Sequence, residues 1–563
     1  MKIVLDEVRR LTGPNLLWDK PGAILDVLFE GVDASVMAEV WQKWSNRCLF
    51  EMEWSDQQAT HRVHAHGANF AISAPLDLLY VACDVAEIAW GCCEAECQKT
   101  ELPNWQEQVA SLKLDCKQQS KPDLLALIDQ AERNQILCLV DDDEISLGAG
   151  AAAKVWPIDK LPSIKNIQWA DYSSIPTAFI TGTNGKSTCV RLAAEIAKFA
   201  DVRAGVTSTD FIKVGDRIIE HGDYSGPGGA RMLLRDSKAE LAFLEVARGG
   251  LLRRGLPVNH VDAALITNVA SDHLGEYGIN TVEELAETKF IVSKGLGKHN
   301  VLVLNADDQN SIDQASKLDK TICWFSMRKD NPIIVKQRQD GGRAVYIEAN
   351  KFVYYHMGVS EQLIDIADAP ITFNGTASHN VQNALGVIGL CKALKLPSEA
   401  INLGLQSFGR KLSDNPGRGN QYEFNGIRVI VDFAHNDHGV RAMVDMVSKM
   451  PAKHKIVMFG HAGDRSDADI IRATEAVSTL QADFYIVSEL EKYLRGRDAG
   501  EVPLLTVSVL SQQGLKKQQI SVAADPLDGA KKALELAQSG DVVLLFALDN
   551  RDAIEQWLSD QLA

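Results

Sequence analysis

The stretch TGTNGKST carries the residue types of a phosphate-binding loop. Backbone N–H groups can converge on phosphate oxygens where glycines allow a tight turn, and Gly182 and Gly185 supply such a turn. Lys186 can reach the outer phosphates, and the hydroxyl of Ser187 can bind the accompanying magnesium ion. The common pattern has a glycine five residues before the second one, where Ile180 stands here. The turn therefore differs, but the groups that do the chemistry are retained.

A strand and a helix are predicted on either side of this loop. TAFI is a short apolar run typical of a buried strand, and STCVRLAAEIAKFA has apolar residues at helical spacing. The start of the helix would face the phosphates, where the helix dipole favours negative charge. The order of strand, loop and helix disfavours the alternative that the residues GKS stand at a helix start by chance. The predicted nucleotide contacts are Thr183, Asn184, Gly185, Lys186, Ser187 and Thr188.

Candidate magnesium ligands follow two later strands. Glu245 ends the run ELAFLE, and Asp272 and His273 follow DAALITNVA. Ligands of parallel α/β sheets lie beyond the carboxyl ends of the strands, so these side chains can meet the loop. Taken alone, Glu245 is equally consistent with a surface acid, and DH is a common dipeptide.

Three blocks are predicted along the chain. Residues 1–165 form an N-terminal α/β domain, followed by a proline-containing linker within 156–176. Strands that alternate with helices predict a central phosphate-loop domain, residues 166–375, with a mostly parallel sheet. Residues 376–563 carry four buried-type strands separated by helices and predict a second, Rossmann-like α/β domain. The helix HNVQNALGVIGLCKAL, residues 379–394, is placed in this third block.

Composition and charge narrow the function classes. The 563 residues are 46% hydrophobic and 24% charged, which is typical of a soluble globular protein. The net charge of −17 disfavours nucleic acid as the main partner. We expect a cytoplasmic protein without a membrane partner, because no long apolar run or signal sequence is visible. The ten cysteines are expected to be reduced thiols. Packing or surface roles, not metal binding, are expected for Cys92, Cys93, Cys97, His61, His64 and His66.

Six stretches resemble, in order, the motif set of the Mur ligase superfamily: TGTNGKST, LEVARGG, TNVASDHLGEYG, HNVQNA, NPGRGN and VDFAHN. HGDYSGPGGARMLLRD, ARGGLLRRGL, GDRSDADI and LRGRDAGEV resemble the ligase half of the cyanophycin synthetase family, and RRLTGPNLLWDKPGAILDV resembles the start of its N-terminal domain. The resemblance implies an ATP-dependent amide ligase that activates a carboxylate as an acyl phosphate and joins it to an amino acid.

The resemblance also implies which residues act. The catalytic residues would be Lys186, His273, Lys289 and Arg418. Magnesium would be bound by Ser187, Glu245, His273 and Lys289, with Asp272 orienting the histidine. Lys289 matches a lysine that is carbamylated in many relatives, and a carbamate is an anion that can bind magnesium. A plain surface lysine on an amphipathic helix is the alternative, and Lys294 is a weaker candidate by spacing.

Nucleotide contacts are implied in the third block. Asn380 and Asn383 match the pair that contacts adenine, with structural asparagines at a helix start as the alternative. Arg418 resembles the arginine that reaches the γ-phosphate when the last domain closes. Asp432 resembles the ribose ligand, with His435 nearby.

Substrate contacts are less determined. Asp464, Asp467 and Asp469 could hold a guanidinium group, or could form a solvated acidic turn. The SGPGG loop, residues 225–229, is expected to face the acceptor peptide on family likeness. A polymer-cleaving His/Glu cluster occurs in some relatives, but here Glu87 is accompanied by Asp84 and Ile88. The N-terminal domain is therefore expected to be structural or to dock substrate and partner.

The expected cosubstrate and cofactor are ATP and Mg²⁺, and the expected substrates are arginine or lysine and an aspartate-like carboxylate of an acidic peptide or polymer. Cyanophycin synthetases carry an ATP-grasp domain before the Mur-like part, where only a short connection is present here. A separate ATP-grasp ligase is therefore a candidate partner. Independently of this, we expect a homo-oligomer. The alternatives are ligation to another small peptide, and a nucleotide-binding subunit without catalysis.

Overall fold

The N-terminal part packs helices on one face of a four-stranded sheet, in a computed structural model that describes residues 2–562. The strands are β1 (Lys2–Leu11), β2 (Gly22–Glu30), β3 (Ala59–His64) and β4 (Gly67–Ser73), and the helices are α1 (Ala34–Glu51), α2 (Leu79–Gln98) and α3 (Trp105–Gln119). The sheet has the order β1-β2-β4-β3 and is antiparallel throughout. Alternate strand residues such as Phe70 pack against Trp41 and Trp90 of the helices. The other face of the sheet turns towards the central domain.

The segment that we interpreted as a linker is structured. The helix α4 (Pro122–Arg133) packs near a small antiparallel sheet of β5 (Cys138–Val140), β6 (Glu144–Leu147) and β7 (Lys154–Pro157). Ile158, Ile167 and Tyr172 are buried in the same cluster. These strands have only three or four residues each, so they carry no periodicity that a sequence pattern could show. The segment is a small packed unit and not a free connection.

The central domain contains an eleven-stranded sheet. Its strands are β8 (Thr177–Thr181), β9 (Ala204–Thr207), β10 (Phe211–Val214), β11 (Arg217–His221), β12 (Leu241–Glu245), β13 (Val261–Ile266), β14 (Leu296–Asn305), β15 (Thr321–Ser326), β16 (Arg343–Glu348), β17 (Lys351–His356) and β18 (Val359–Asp365). The order is β11-β10-β9-β12-β8-β13-β14-β15-β16-β17-β18, and all neighbours from β9 to β16 are parallel. The prediction of a mostly parallel sheet is confirmed.

Helices cover both faces of this sheet. They are α5 (Lys186–Phe199), α6 (Pro227–Leu234), α7 (Arg248–Arg254), α8 (Val282–Phe290), α9 (Gln309–Ala315), α10 (Pro332–Gln339), α11 (Ser378–Ala393) and α12 (Ser398–Ser407). We expected α11 to belong to the third block, but it packs on β13 to β16 of the central sheet. Gly386 and Gly389 allow this close approach, since a Cβ at either position would lie 2.9 Å from a side-chain atom of the sheet. The predicted boundary at 375 is therefore too early, and the last domain begins after α12.

The C-terminal domain is a six-stranded sheet between helices. Its elements are β19 (Arg418–Phe424), β20 (Ile427–Asp432), α13 (Asp437–Ser448), β21 (Lys455–Phe459), α14 (Asp467–Ser478), β22 (Phe484–Ser488), α15 (Glu501–Gln512), β23 (Ile520–Ala523), α16 (Pro526–Leu536), β24 (Val542–Phe546) and α17 (Arg551–Leu562). The order is β19-β20-β24-β21-β22-β23, and only the pair β19/β20 is antiparallel. Among all helices within residues 2–562, none combines the length and apolar character needed to cross a membrane.

Candidate active site

Two glycines fit the loop between β8 and α5 tightly against its neighbours. Gly182 has a φ of +147° and Gly185 a φ of +87°, values that favour glycine. A Cβ would lie 1.9 Å from Thr267 Oγ1 at the first position and 2.2 Å from Asn383 Oδ1 at the second. Ile180, where the common pattern has glycine, is a strand residue buried in the core. The turn is therefore shorter than the common one, and both of its glycines are required by contacts.

The side chain of Lys186 folds back over the loop and bonds to its backbone. Lys186 Nζ donates to the carbonyl oxygens of Gly182 at 3.0 Å and Thr183 at 2.9 Å. The hydroxyl of Thr183 accepts from the N–H of Ala270 and donates to its carbonyl, both at 3.0 Å. Because the first N–H groups of a helix have no helical partner, those of α5 are available to an anion. The predicted loop residues thus form one cradle, which begins at the carboxyl end of β8.

A buried carboxylate without a partner lies next to this cradle. Glu245 ends β12 and is 1% exposed, and neither carboxylate oxygen has a hydrogen-bond partner among the described residues. Burial raises the pKa of Glu245, against the opposing effect of Lys186 and Arg418. The hydroxyl of Ser187 is also buried and lies 3.3 Å from Thr209 Oγ1. Such a carboxylate is unfavourable unless a cation meets it, and oxygen ligands are those that Mg²⁺ prefers. The residues present fit a divalent cation.

A second group of ligand-type side chains lies close to the cradle. The ligand atoms of Asp272, His273 and His435 lie within 4.8 Å of one another, the only such group of three in residues 2–562. Burial lowers the pKa of His435 to about 4, so this ring is neutral near pH 7. His273 Nδ1 lies 3.5 Å from Glu276 Oε1, and its Nε2 lies 3.9 Å from Asp272 Oδ1. Glu276, which the sequence did not single out, is therefore the closer carboxylate, and not Asp272 as expected.

Lys289 lies inside the protein and against the loop. It is 3% exposed, and its Nζ donates to the carbonyl oxygen of Gly182 at 2.9 Å. Burial, followed by the charge of Lys186, lowers the pKa of Lys289 well below its ordinary value, and Asp272 opposes this shift. The alternative of a plain surface lysine is wrong. A buried amine with a lowered pKa is neutral for part of the time, which is the form that reacts with carbon dioxide.

Lys294, the weaker candidate for modification, lies elsewhere. Its Nζ donates to the carbonyl oxygen of Asn15 at 2.7 Å and pairs with Asp19 at 2.8 Å. Both partners belong to the N-terminal domain. Lys294 therefore connects two domains and does not reach the cradle.

Arg418 reaches the central domain from the first residue of β19. Its Nη2 lies 3.4 Å from Thr209 Oγ1 and 3.9 Å from Asp210 Oδ2. Asp210 also pairs with Arg191 of α5 and with Arg551 of α17, the latter at 3.3 Å. Burial alone would raise the pKa of Asp210, but the three arginines hold it below its usual range. The sequence patterns did not single out Thr209, Asp210 and Arg551; the signal was the polar run STD directly after β9, the neighbour of β12.

The two asparagines of HNVQN lie at the start of α11, and only one reaches the loop. Asn383 Oδ1 faces Gly185, while its Nδ2 donates to Asn380 Oδ1 at 3.1 Å. Asn380 in turn donates to the carbonyl oxygen of Ile371 at 3.0 Å. Beside this helix start, a cleft of about 540 Å³ opens between the central and C-terminal domains. Residues on its wall include Ile371, Phe373, Thr376, Asn415, Arg418 and Gly419.

The C-terminal domain contacts the loop directly. Asp432, the last residue of β20, lies opposite Arg418 in the ladder and accepts from the N–H of Ala434 at 2.7 Å. Burial raises the pKa of Asp432 to about 6. Asn184 Nδ2 lies 3.2 Å from Asn436 Oδ1 at the start of α13. Thr188 bonds to Asn415 at 3.1 Å, so its hydroxyl points to the domain boundary.

The acids that we considered for a guanidinium group already have arginine partners. The pairs are Asp464 with Arg495, Asp467 with Arg497, and Asp469 with Arg472. Arg465, from the same turn, lies 3.4 Å from Asp272. These acids are therefore poor candidates for binding a basic substrate. The SGPGG segment is not a free loop, because α6 begins at Pro227. It lies beside the start of α7, where the carbonyl oxygen of Ser225 accepts from the N–H of Ala247 at 3.1 Å.

Comparison with known families agrees with this geometry. The Mur ligase middle domain matches residues 180–391, and the Mur ligase glutamate ligase domain matches residues 417–547. The chain belongs to the Mur ligase family. The first match ends at residue 391, within α11, and so includes most of this helix with the middle domain.

Curated relatives of this Mur ligase family member include two kinds of ligase. A cyanophycin synthetase of Synechocystis sp. is 32% identical over 383 residues, which are 68% of this chain and 43% of that protein. A UDP-N-acetylmuramoyl-L-alanyl-D-glutamate--2,6-diaminopimelate ligase of Listeria monocytogenes is 23% identical over 389 residues, 66% of this chain and 73% of that one. The chain thus spans less than half the length of the cyanophycin synthetases that it matches.

Solved structures show the same fold. FolC of E. coli in complex with DHPP and ADP has a TM-score of 0.53 at 16% identity, covering 69% of this chain and 89% of that chain. A bifunctional folylpolyglutamate synthase/dihydrofolate synthase of Yersinia pestis has a TM-score of 0.50 at 19% identity, covering 68% and 89%.

Proposed function

We propose that the protein is an ATP-dependent amide ligase, which activates a carboxylate as an acyl phosphate and joins it to an amino acid. The observation that supports this most is the unpartnered, buried carboxylate of Glu245 beside Ser187, Lys186 and Arg418. A purely structural site would not retain a buried charge without a partner, because it lowers stability. A phosphate cradle beside such a carboxylate suits a nucleotide with its cation.

The residues of the cradle have separable roles in this reaction. A substrate carboxylate attacks the γ-phosphorus of ATP, the bond to ADP breaks, and an acyl phosphate forms. Negative charge meets negative charge in this step, so positioning and positive charge provide most of the catalysis. Lys186, which now bonds to loop carbonyls, would turn to the outer phosphates, and Arg418 would meet them from the opposite domain.

Two cation positions are proposed beside the cradle. Ser187 and Glu245 would hold the first, and His273 and Lys289 the second. A bound Mg²⁺ would neutralise charge on the phosphates and on the acyl oxygen. Lys289 can contribute only as an anion, and its buried amine near Gly182 fits carbamylation.

The second half of the reaction forms the amide. The amine nitrogen attacks the acyl carbon, the bond to phosphate breaks, and a proton leaves the nitrogen. Water would hydrolyse the acyl phosphate, so the C-terminal domain, which contacts the loop through Asn436, would exclude it. Asn383 and Asp432 are proposed to hold adenine and ribose in or beside the cleft, with Asn380 orienting Asn383.

The substrate assignment rests on the relatives. From the likeness to cyanophycin synthetases, we infer that arginine or lysine is added to an aspartate-like carboxylate of an acidic peptide. A separate ATP-grasp ligase and a homo-oligomer stay predictions. Because the acids of GDRSDAD pair with arginines of the chain itself, ligation of a different amino acid to another small peptide is kept as the second candidate.

The test is ADP release by the purified protein with ATP and magnesium. Each common amino acid is offered with and without poly-aspartate or a short aspartate-containing peptide. Release that requires both an acceptor and arginine or lysine is the expected result. Release with a different pair would keep the ligase and replace the substrates. Tight ATP binding without release for any pair would favour the non-catalytic subunit.

A further inference from the structure

The second cation position lies on one segment of chain, residues 273–289, which begins with His273 and ends with Lys289. The backbone of this segment is unusual, since His273 has a φ of +50° and Tyr277 a φ of +54°. Residues other than glycine hold such angles only where their surroundings impose them. Contacts from other parts of the chain must therefore hold the segment in this conformation.

Arg248 of the central domain supplies part of this support by donating to His273 and Glu276, and the N-terminal domain supplies another part. Arg62 Nη1 donates to the carbonyl oxygen of Gly278 at 3.0 Å, and its Nη2 to Glu284 Oε1 at 2.6 Å. The guanidinium carbon of Arg9 lies 4.9 Å from the ring centroid of Tyr277. The ring of His64 packs directly against Gly278, because a Cβ at this glycine would lie 2.4 Å from the ring.

Glu284 connects this contact to Lys289. Its other oxygen accepts from the N–H groups of Asn280 at 2.6 Å and Thr281 at 3.1 Å, which forms the capping box of α8. One carboxylate thus caps the helix that carries Lys289 and also pairs with Arg62. The pair is partly buried, with both side chains less than a quarter exposed, where an ion pair is worth more than on an open surface.

The arginines also make contacts within their own domain, where Arg62 Nη1 lies 3.4 Å from Asn69 Oδ1. Arg9 pairs with Asp26, and Asn69 donates to the same aspartate at 2.8 Å. These three residues lie on the sheet face opposite α1 and α2, and all three are buried. Charged residues are seldom buried on an outer sheet face unless another body covers them. Arg9 also donates to the carbonyl oxygen of Leu252, so the central domain is that body.

We propose that the N-terminal domain is a positioning domain for the second cation position, with Arg62 as the positioning residue that holds the 273–289 segment against the phosphate cradle. The proposal rests on the proposed function for the roles of His273 and Lys289. The arrangement of the segment itself does not depend on that function. Arg62 is proposed to act through Gly278 and Glu284 and not by its own contact with substrate or cation.

The first experiment measures hydrogen–deuterium exchange of the full chain without metal or nucleotide. Arg62→Ala is expected to raise the exchange rate of amides in 274–284 about tenfold, because the segment loses a charge-assisted contact. Arg62→Lys keeps the charge and should restore part of the protection. Lys43→Ala breaks the ion pair with Glu96 in the same domain but away from the segment, and should leave 274–284 unchanged.

Glu284→Gln approaches the same pair from the other side. Glutamine retains the capping box but not the charge, so the variant should raise exchange in 274–284 without unfolding the N-terminal domain. The double variant Arg62→Ala/Glu284→Gln should add little to either single change. If Arg62→Ala loses protection throughout the N-terminal domain, that domain is unfolded in the variant. Glu284→Gln then tests whether the contact holds the segment.

The second experiment counts Mn²⁺ ions by calorimetry, in the presence of a non-hydrolysable ATP analogue. Two sites are expected in the unchanged chain, and Arg62→Ala should weaken one of them about tenfold with the other and the nucleotide affinity within twofold. Exchange in 274–284 that equals the unchanged chain in both Arg62→Ala and Glu284→Gln would overturn the proposal. If the unchanged chain released no ADP for any substrate pair, the proposed function would fail, while the exchange data would still decide the positioning.

Discussion

The two cation positions that we propose beside the phosphate cradle are built in opposite ways. The first uses Glu245 and Ser187, at the end of a central strand and in the first turn of α5, and both are buried. The second uses His273, whose side chain is 40% exposed, and Lys289 on the short helix α8. Strand ends in a packed sheet are fixed by the core, whereas a loop residue with a positive φ is fixed only by its neighbours.

This difference indicates where each position is sensitive to change. The first lies within the parallel sheet, whose strands β12 and β8 are direct neighbours. The second depends on contacts from elsewhere, including Arg248, which donates to the carbonyl oxygen of His273 at 2.8 Å. Substitutions distant from the nucleotide should therefore affect the second position and leave the first one intact.

The largest effect is expected for Glu245→Gln, which tests the first position. ADP release should fall about 10³-fold, since the carboxylate charge that would hold the first cation beside the phosphates is lost. Thermal stability should stay the same or rise, because a buried charge without a partner is removed. Activity and melting temperature are measured on the same preparation.

Glu240→Gln is the matched control for this change. Glu240 lies just before β12, pairs with Arg203 and is exposed, so its loss should change neither quantity noticeably. A Glu245→Gln variant that retains turnover within about tenfold would show that the first cation position is not where we place it.

Lys289→Ala tests the second position and should lower ADP release about 10²-fold. The lowered pKa of Lys289, caused first by burial, favours the neutral amine and hence the carbamate. Carbon-13 NMR with labelled bicarbonate should show a carbamate signal that is absent from the variant. Lys294→Ala is the control, because this lysine binds the N-terminal domain. If the unchanged chain gave no such signal, carbamylation of Lys289 would be excluded. The buried position of its amine would not be affected by that result.

The sequence predicted the parts of this site that short-range patterns determine. The strand, loop and helix around Gly182 and the ends of the strands before Glu245 and His273 could be read from apolar runs and turn residues. Contacts between distant segments could not. Nothing in the pattern shows that Asp210 meets Arg551, or that Arg62 reaches Gly278, because these pairs are formed by the packing of domains. The helix α11 was placed in the wrong domain for the same reason.

A smaller effect is expected for Arg551→Ala, a change at the contact between the C-terminal and central domains. Arg551 pairs with Asp210, which also lies 3.9 Å from Arg418. Its loss should leave Arg418 less well oriented and raise the KM for ATP about tenfold, with kcat nearly unchanged. Arg551→Lys should recover part of the loss, whereas Arg133→Ala, which breaks an exposed ion pair with Asp129 on α4, should have no such effect. A fall in kcat at constant KM would contradict a role in orienting Arg418 on the bound nucleotide.

The smallest effect is expected at Asp432, which we propose to bind the ribose. It is a dependence of protein stability on pH. The pKa of Asp432 in the folded protein is about 6, raised by burial, against about 3.9 in an unfolded chain. Between these values the folded protein keeps a proton that the unfolded chain has lost, so this residue contributes less to stability as the pH rises from about 4 to 6. Asp432→Asn removes that dependence. The melting temperature of the variant minus that of the unchanged chain, measured without nucleotide, should therefore increase from about pH 4 to 6 and stay constant above. A difference that stays flat over this range would show that the carboxylate of Asp432 is not desolvated, and would weaken its assignment to a closed ribose site.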